Sequence, residues 1–320
     1  MKKNYNFEFL FNDLTSESSL RLRRLDINTP LSVYYGLSQD GNFRLSFKSC
    51  GRMPKLAPTK LLNVIQGKDE DGEYWLNFDL IDAEAKKVFF TFCDSLIDSI
   101  SGDFKEEEAI QNLRRRYACW KKMFKKENNK GISKELIQGL FGELFFLNNY
   151  LISKYGFEDS INSWCGPDMK SKDFSLKDAW FEIKTIGANT AKIIISSVSQ
   201  LSSDLTGYLV VIKVESMSDV FDQKNSDIQS IFNEIVSNID DESLLELFIR
   251  KMELIGYDVT NEEFNKHFSV KNLKVYKVND EFPRIKENDF DKEGIDDISY
   301  SIILNSLKKY EVYSDGFNNI

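Results

Sequence analysis

Between Asp173 and Lys184 the chain sets two acids and a lysine around a short apolar hairpin. Read as two strands joined by a tight turn at Lys177-Asp178, the segment pairs Leu176 with Ala179, Phe174 with Phe181 and Asp173 with Glu182. Alternation sends Phe174, Leu176, Phe181 and Ile183 to one face, and Asp173, Glu182 and Lys184 emerge together on the other. Two carboxylates directly across a strand pair repel, by about 4 kcal/mol at ~4 Å and an effective dielectric near 20. A divalent cation would offset that repulsion, with Lys184 as a partial neutraliser.

Acid-any-Lys triplets occur at residues 84–86, 103–105, 168–170, 182–184 and 222–224, so the triplet alone also fits a solvated strand face. Only Glu182-Ile183-Lys184 lies in an apolar strand with an acid opposite, followed by Thr185-Ile186-Gly187 to end it. Upstream, Leu136, Ile137, Leu140, Phe141, Leu144, Leu147, Leu151 and Ile152 follow helical spacing, which predicts a helix from about Ser133, its cap, to Tyr155, with Gly156 as its stop. Glu143 is the only charge between residues 136 and 153. Beside it stand Gly139 and Gly142, each costing ~1 kcal/mol in a helix, a cost that a neighbouring backbone pressed close would explain. Glu143 either reaches solvent at the helix edge or adds a third carboxylate to the acidic hairpin.

The order Gly139-Leu140-Phe141-Gly142-Glu143-Leu144, Trp164-Cys165-Gly166-Pro167, Asp173-Phe174, Glu182-Ile183-Lys184, Ile195-Ser196-Ser197 and Gln200-Leu201 resembles the PD-(D/E)XK nuclease superfamily. More narrowly it is similar to the bacterial group known simply as PD-(D/E)XK motif proteins, found beside DNA methyltransferases and helicase-like ATPases in restriction or anti-phage loci. The likeness is sharp over residues 134–215 and looser over the flanks, including Phe282-Pro283-Arg284-Ile285 and Gly294-Ile295. It implies an α/β chain, α+β overall, with a restriction-endonuclease-like core of helix, mixed central sheet and helix. It also implies Mg²⁺-dependent hydrolysis of DNA phosphodiesters, with Mn²⁺ as a substitute. The alternative is a non-cleaving nuclease-fold subunit that binds DNA or assembles a defence complex.

Carried over residue by residue, Asp173 stands for the motif's Asp, Glu182 for its second acid and Lys184 for its lysine. Glu143 matches the acid of the first core helix, and Gln200 the glutamine after the extra strand, touching phosphate or orienting a site residue. The literal Pro-Asp pair is Pro167-Asp168, but Asp168 reads as a turn residue, whereas Asp173 has a strand and an opposing Glu182. Lys170 and Lys172 then either approach a phosphate or are solvated at the surface. Mg²⁺ takes hard oxygen ligands and keeps several waters, a pattern that Asp173, Glu182, the Ile183 carbonyl and Glu143 fit. Lys184, flanked by acids, makes a poor general base and is expected to position the attacking water and stabilise the phosphorane. The only histidine, His267, sits in a polar run and reads as a surface residue, so no Ser-His-Asp triad or zinc-peptidase motif is available.

Composition excludes other classes. No apolar run approaches the ~20 residues that span a bilayer, and Met1-Lys2-Lys3-Asn4-Tyr5-Asn6 leads into no signal-like segment, so no membrane partner and a cytoplasmic location are expected. Cys50, Cys93, Cys119 and Cys165 have neither zinc nor disulfide-framework spacing. The net charge of −9 is uneven: residues 215–320 hold 23 acidic and 12 basic side chains (12 − 23 = −11), leaving +2 for residues 1–214. Residues 114–134 carry Arg114, Arg115, Arg116, Lys121, Lys122, Lys125, Lys126, Lys130 and Lys134 against Glu127 alone. That stretch either tracks a phosphate backbone or is a solvated helix face.

The remaining elements frame the core. Residues 1–105 read as a β-rich N-terminal domain: Leu31–Leu37 and Phe43–Phe47 flank Asp40-Gly41, Asp71-Gly72 precedes Tyr74–Leu80, and a helix follows from Val88 to Ile100. Residues 106–133 form a basic linker helix on which Trp120 and Phe124 dock, and residues 134–216 the nuclease core, with strand Ala191–Ser196, a short helix around Val198–Leu205 and strand Tyr208–Val214. Residues 217–320 read as an acidic α+β lobe with helices around Ile228–Ile239 and Leu245–Ile255 and strands near Leu273–Val278 and Ile298–Leu304. That lobe is expected to support the core, pair two copies or meet another protein. The partners implied are DNA, a second copy of the chain, and helicase-like ATPase and DNA methyltransferase subunits.

Overall fold

The computed structural model describes residues 5, 7–14, 22–124, 133–168, 171–203, 205–217, 226–259, 261–286, 289, 295 and 298–313. In chain order these form α1 (Phe7–Leu14), β1 (Arg23–Arg24), β2 (Ser32–Leu37), β3 (Phe43–Ser49), β4 (Leu62–Lys68), β5 (Tyr74–Leu80), α2 (Lys86–Ile100) and α3 (Glu106–Met123). There follow α4 (Lys134–Phe146), α5 (Ile152–Ser163), β6 (Phe174–Ser175), β7 (Ala179–Gly187), β8 (Lys192–Ile195) and β9 (Thr206–Met217). The last are α6 (Ile228–Asn238), α7 (Glu242–Ile255), β10 (His267–Val278), β11 (Tyr300–Ile303) and β12 (Glu311–Tyr313). The chain is thus mixed α and β. It divides into two compact units, residues 1–128 with 233–261, and residues 129–232 with 262–320.

In the first unit an antiparallel sheet runs in the order β1-β2-β3-β5-β4. Both of its Asp-Gly hairpins form, because Gly41 and Gly72 supply the positive φ, +80° and +87°, that their turns need. Alternate residues Val33, Leu45, Phe47, Leu76 and Phe78 are buried, and α2 adds Phe89 and Phe92 to this core. As expected, Trp120 and Phe124 dock α3, their rings 5.7 and 5.8 Å from that of Phe92. The same docking corrects the basic stripe at one position. Arg116 is buried, with Nη2 2.8 Å from Glu242 Oε2 and Nη1 donating to Ser95 Oγ at 3.1 Å, so it is not free to meet a phosphate. Arg114, Arg115 and Lys134 are exposed, whereas Lys125, Lys126 and Lys130 lie outside the described residues.

The second unit contains a mixed sheet in the order β12-β10-β9-β7-β6, in which β7 and β9 run parallel and the other pairs antiparallel. β8 leaves this sheet and pairs with β11 as a two-stranded ribbon. The short helix expected around residues 198–205 is, among the described residues, a 3₁₀ turn, Val198–Leu201. α4 starts where the sequence indicates, Ser133 accepting a hydrogen bond from the Leu136 N–H at 3.2 Å. It then passes through a π-helical turn at Leu147–Leu151 into α5. Gly156, at φ +78°, breaks the helix as expected, but the chain resumes helical geometry to Ser163.

His267 is not a free surface residue. It opens β10, is partly buried, and its Nδ1 lies 2.8 Å from Ser226 Oγ and 3.6 Å from Asp227 Oδ2. None of the four cysteines forms a disulfide, and three of them are buried. Among the described residues no helix is long and apolar enough to cross a membrane.

Candidate active site

The hairpin at the centre of the site folds in the register its sequence predicts. Phe174 pairs with Phe181 and Ser175 with Trp180, and the Leu176 N–H closes the Lys177-Asp178 turn on the Ala179 carbonyl at 2.8 Å. The ladder stops at Phe174, so the expected Asp173–Glu182 strand pair does not form. Beyond it the Asp173 side chain replaces a strand neighbour, Oδ2 accepting the Ile183 N–H at 2.7 Å. A strand residue points its N–H and C=O to the same side, so the Ile183 carbonyl emerges on the edge that Asp173 occupies. The Asp173 carbonyl is fixed in turn by the N–H groups of Cys165 and Gly166, at 2.7 and 3.2 Å.

Glu182 and Lys184 share a face of β7, as alternation requires, but that face is not open to solvent. Their β9 partners are Leu209 and Val211, and with Ile193, Ile195 and Leu201 these belong to an apolar cluster around Trp180. Glu182 is accordingly 1% exposed, which removes the solvated-face reading. Lys184 Nζ lies 2.9 Å from Glu182 Oε1, while Glu182 Oε2 is buried with no hydrogen-bond partner. Burial first, then the Asp173 charge, push the Glu182 carboxyl up to about 8 against the pull of Lys184. Asp173 is raised by burial and held back by the Ile183 N–H, Lys184 and Lys172.

Glu143 comes from the helix on the other face. Thr185 of β7 presses on Gly142, where an added Cβ would lie 1.8 Å from Thr185 Oγ1, and Gln138 Nε2 donates to the Thr185 carbonyl at 2.8 Å. The close approach is thus to a side chain, and it concerns one of the two glycines: nothing lies within 4 Å of a Cβ at Gly139. So docked, Glu143 accepts from Trp164 Nε1 at 2.7 Å, and Gly166 leaves room for its Oε2, which a Cβ there would approach to 2.5 Å. Burial, then Asp173, and more weakly Glu182, drive the Glu143 carboxyl well above the ordinary carboxylate range, with the Trp164 bond opposing. The carboxyls of residues 143, 173 and 182 therefore share one electrostatic site.

Gln200, on the 3₁₀ turn, completes the contacts of Lys184: its Oε1 accepts from Lys184 Nζ at 3.3 Å and from the Ser196 N–H at 2.8 Å. Asp168 is exposed on a 3₁₀ turn at residues 166–168, and Lys170 lies outside the described residues. Lys172 is neither solvated nor pointed at a phosphate. It is 8% exposed, donates to the carbonyls of Ser199 and Ser202, and lies 4.5 Å above the Trp180 ring. Trp164, Lys172 and Arg284 are the contributors to this neighbourhood that the spacing of acids did not single out. Trp164 and Arg284 entered the sequence reading only as parts of the resemblance, and Lys172 only as a loop lysine that either approaches a phosphate or is solvated.

The donor set is hard oxygen, and the orphaned Glu182 Oε2 beside two further acids is the environment that a divalent cation stabilises. Among the described residues no three Asp, Glu, His or Cys side chains form a ready cage for an ion. Mg²⁺ is ordinarily held by one or two carboxylates with water and substrate oxygens, so the donors fit that cation better than a site built wholly from protein ligands. Comparison with curated proteins and with solved structures gives no match. A family model does match, over residues 7–305, under the description "Putative PD-(D/E)XK family member". The chain belongs to that family, DUF4420.

Proposed function

We propose that the chain is a metal-dependent endodeoxyribonuclease that hydrolyses DNA phosphodiesters with Mg²⁺, or Mn²⁺ in its place, in restriction or phage defence. The observation that carries this reading is the buried, unpartnered Glu182 Oε2, within the field of Asp173 and beside Lys184. Asp173, Glu182 and the Ile183 carbonyl would hold the ion, with Glu143 able to contribute to a second. When bound, the ion supplies Lewis acidity toward a phosphoryl oxygen and lowers the pKa of a bound water. Asp173 stays oriented through its bond to the Ile183 N–H. Lys184, held between Glu182 and Gln200, presents its ammonium for the attacking water and the developing phosphorane charge. The apolar cluster around Trp180 excludes bulk water from one side, which strengthens each of these interactions.

A second reading is a nuclease-fold subunit that binds DNA or assembles a complex without cutting. It is favoured by the Lys184 ammonium already sitting on Glu182 Oε1 and by the lack of a three-ligand cage among the described residues. Supercoiled plasmid incubated with the purified chain and Mg²⁺ or Mn²⁺ separates the two. Nicking or linearisation that Asp173→Ala and Lys184→Ala abolish supports the nuclease; equal rates in the variants reject the assignment. Metal binding without cleavage, even with the helicase-like ATPase and methyltransferase partners and in a homodimer, supports the subunit.

A further inference from the structure

Two cations of the second unit, the buried Lys172 and the partly buried Arg284, converge on the 3₁₀ turn Val198–Leu201 and its C-cap, Ser202. Lys172 donates to the carbonyls of Ser199 and Ser202, the latter at 3.0 Å. Arg284, whose side chain is 12% exposed, donates through Nη1 to the Leu201 carbonyl. Buried cations normally meet carboxylates, because an unpaired charge out of water is costly. Among the described residues, the carboxylate that Arg284 meets is that of Asp280, 3.9 Å away and 98% exposed. Lys172 lies in the field of Glu182 and Asp173 as well, yet both cations donate to backbone carbonyls that bracket a single residue, Gln200.

The turn needs such help. Its bonds include Gln200 N–H to the Ser197 carbonyl at 3.2 Å, Ser202 N–H to the Ser199 carbonyl at 3.4 Å and a hydroxyl pair, Ser197 Oγ with Ser199 Oγ, at 2.8 Å, but Ser197 caps no backbone N–H. Short 3₁₀ turns have poor hydrogen-bond geometry and hold their shape weakly. Yet the Gln200 carboxamide has two appointments to keep, with Lys184 Nζ and the Ser196 N–H.

We propose that Lys172 and Arg284 are positioning residues that clamp the 198–202 turn by its carbonyls and thereby fix Gln200 against Lys184. Lys172 is itself held by its place over the Trp180 ring, so the clamp is anchored to β7, the strand that carries Lys184. The kinetic consequence rests on the nuclease reading; the positional claim does not.

The test is hydrogen exchange on the full chain, read at residues 196–202, with β7 as internal control. In Lys172→Met and Arg284→Met the amides of Ser196, Gln200 and Ser202 should exchange at least about tenfold faster while β7 keeps its wild-type rate. Lys172→Arg, which keeps a cation able to reach both carbonyls, should return them to within about twofold. Gln200→Ala should release the Ser196 amide alone. Wild-type exchange at residues 196–202 in both Met variants would overturn the clamp. Should one Met variant fail to fold, the other carries the same reading. In plasmid cleavage, Lys172→Met and Gln200→Ala should lower kcat by the same factor at unchanged KM, and the double variant no further; multiplied losses would overturn the link through Gln200. A wild-type chain that does not cut would sink the nuclease reading, and the exchange pattern would still decide the clamp.

Discussion

Replacing Gly142 by Ala tests the packing that brings Glu143 to the site. In an unconstrained helix the change should stabilise by ~1 kcal/mol, since Ala loses less backbone entropy. Here the new Cβ would lie 1.8 Å from Thr185 Oγ1, 3.0 Å from Thr185 Cβ and 3.2 Å from its Cγ2. Rotating the threonine exchanges one close atom for another, and the strand cannot simply retreat, because Gln138 holds the Thr185 carbonyl at 2.8 Å. Overpacking of this kind costs about 1–3 kcal/mol, and three simultaneous contacts argue for the upper end, so a net loss of about 2 kcal/mol is expected. Thr185→Ala removes Oγ1, which is buried without a partner, and leaves only the 3.0 Å contact. The double variant should therefore recover most of the loss. Because the chain has two compact units, a single unfolding midpoint would mix them. Urea unfolding followed by ¹⁹F resonances of fluorotryptophan at Trp164 and Trp180, both in the second unit, reads the relevant one. A neutral or stabilising Gly142→Ala, or an equal loss with and without Thr185→Ala, would refute the argument.

Two further perturbations probe buried acids. Burial raises Asp94 from 3.8 to about 7, with the Tyr5 N–H opposing and Asp98 adding to the rise. A carboxyl raised on folding contributes stability that is complete below its unfolded pKa and lost as pH climbs through the folded one. Wild type should therefore weaken from about pH 4 to 7 relative to Asp94→Asn, by at most about 4 kcal/mol, a ceiling that partial solvent access lowers. Parallel stability–pH curves for the two proteins would contradict this. Trp164→Phe and Glu143→Met, measured singly and together by urea unfolding, should show a coupling of about 1 kcal/mol for the 2.7 Å bond between them; additive losses would show that the bond does not hold Glu143.

The local parts of this fold were legible because their signals are local. The Lys177-Asp178 turn set the register of Phe174 and Phe181, Asp-Gly pairs marked both N-terminal hairpins, and Ser133 marked the start of α4. Asp173 and Glu182 followed from that register, and Glu143 from being the lone charge between residues 136 and 153. What could not be read are pairings between distant segments. β10 joins β9 along eleven residue pairs, with an irregularity between Val270 and Asn272, although the acidic composition around it suggested a separate lobe. Spacing could not say which of Gly139 and Gly142 faces a neighbour, because only the position of Thr185 distinguishes them. Lys172 looked like one basic residue in a polar loop. Its burial follows from Trp180 and from carbonyls almost thirty residues away, which no window around it contains.

The central claim is the proposal that Asp173, Glu182 and the Ile183 carbonyl hold a divalent cation, and Mn²⁺ titration followed by electron paramagnetic resonance measures it most directly. The account predicts at least one bound Mn²⁺ per wild-type chain, displaced by Mg²⁺ and lost in Asp173→Asn and in Glu182→Gln. Equal Mn²⁺ binding by the wild type and both variants, or none by any of them, would contradict it.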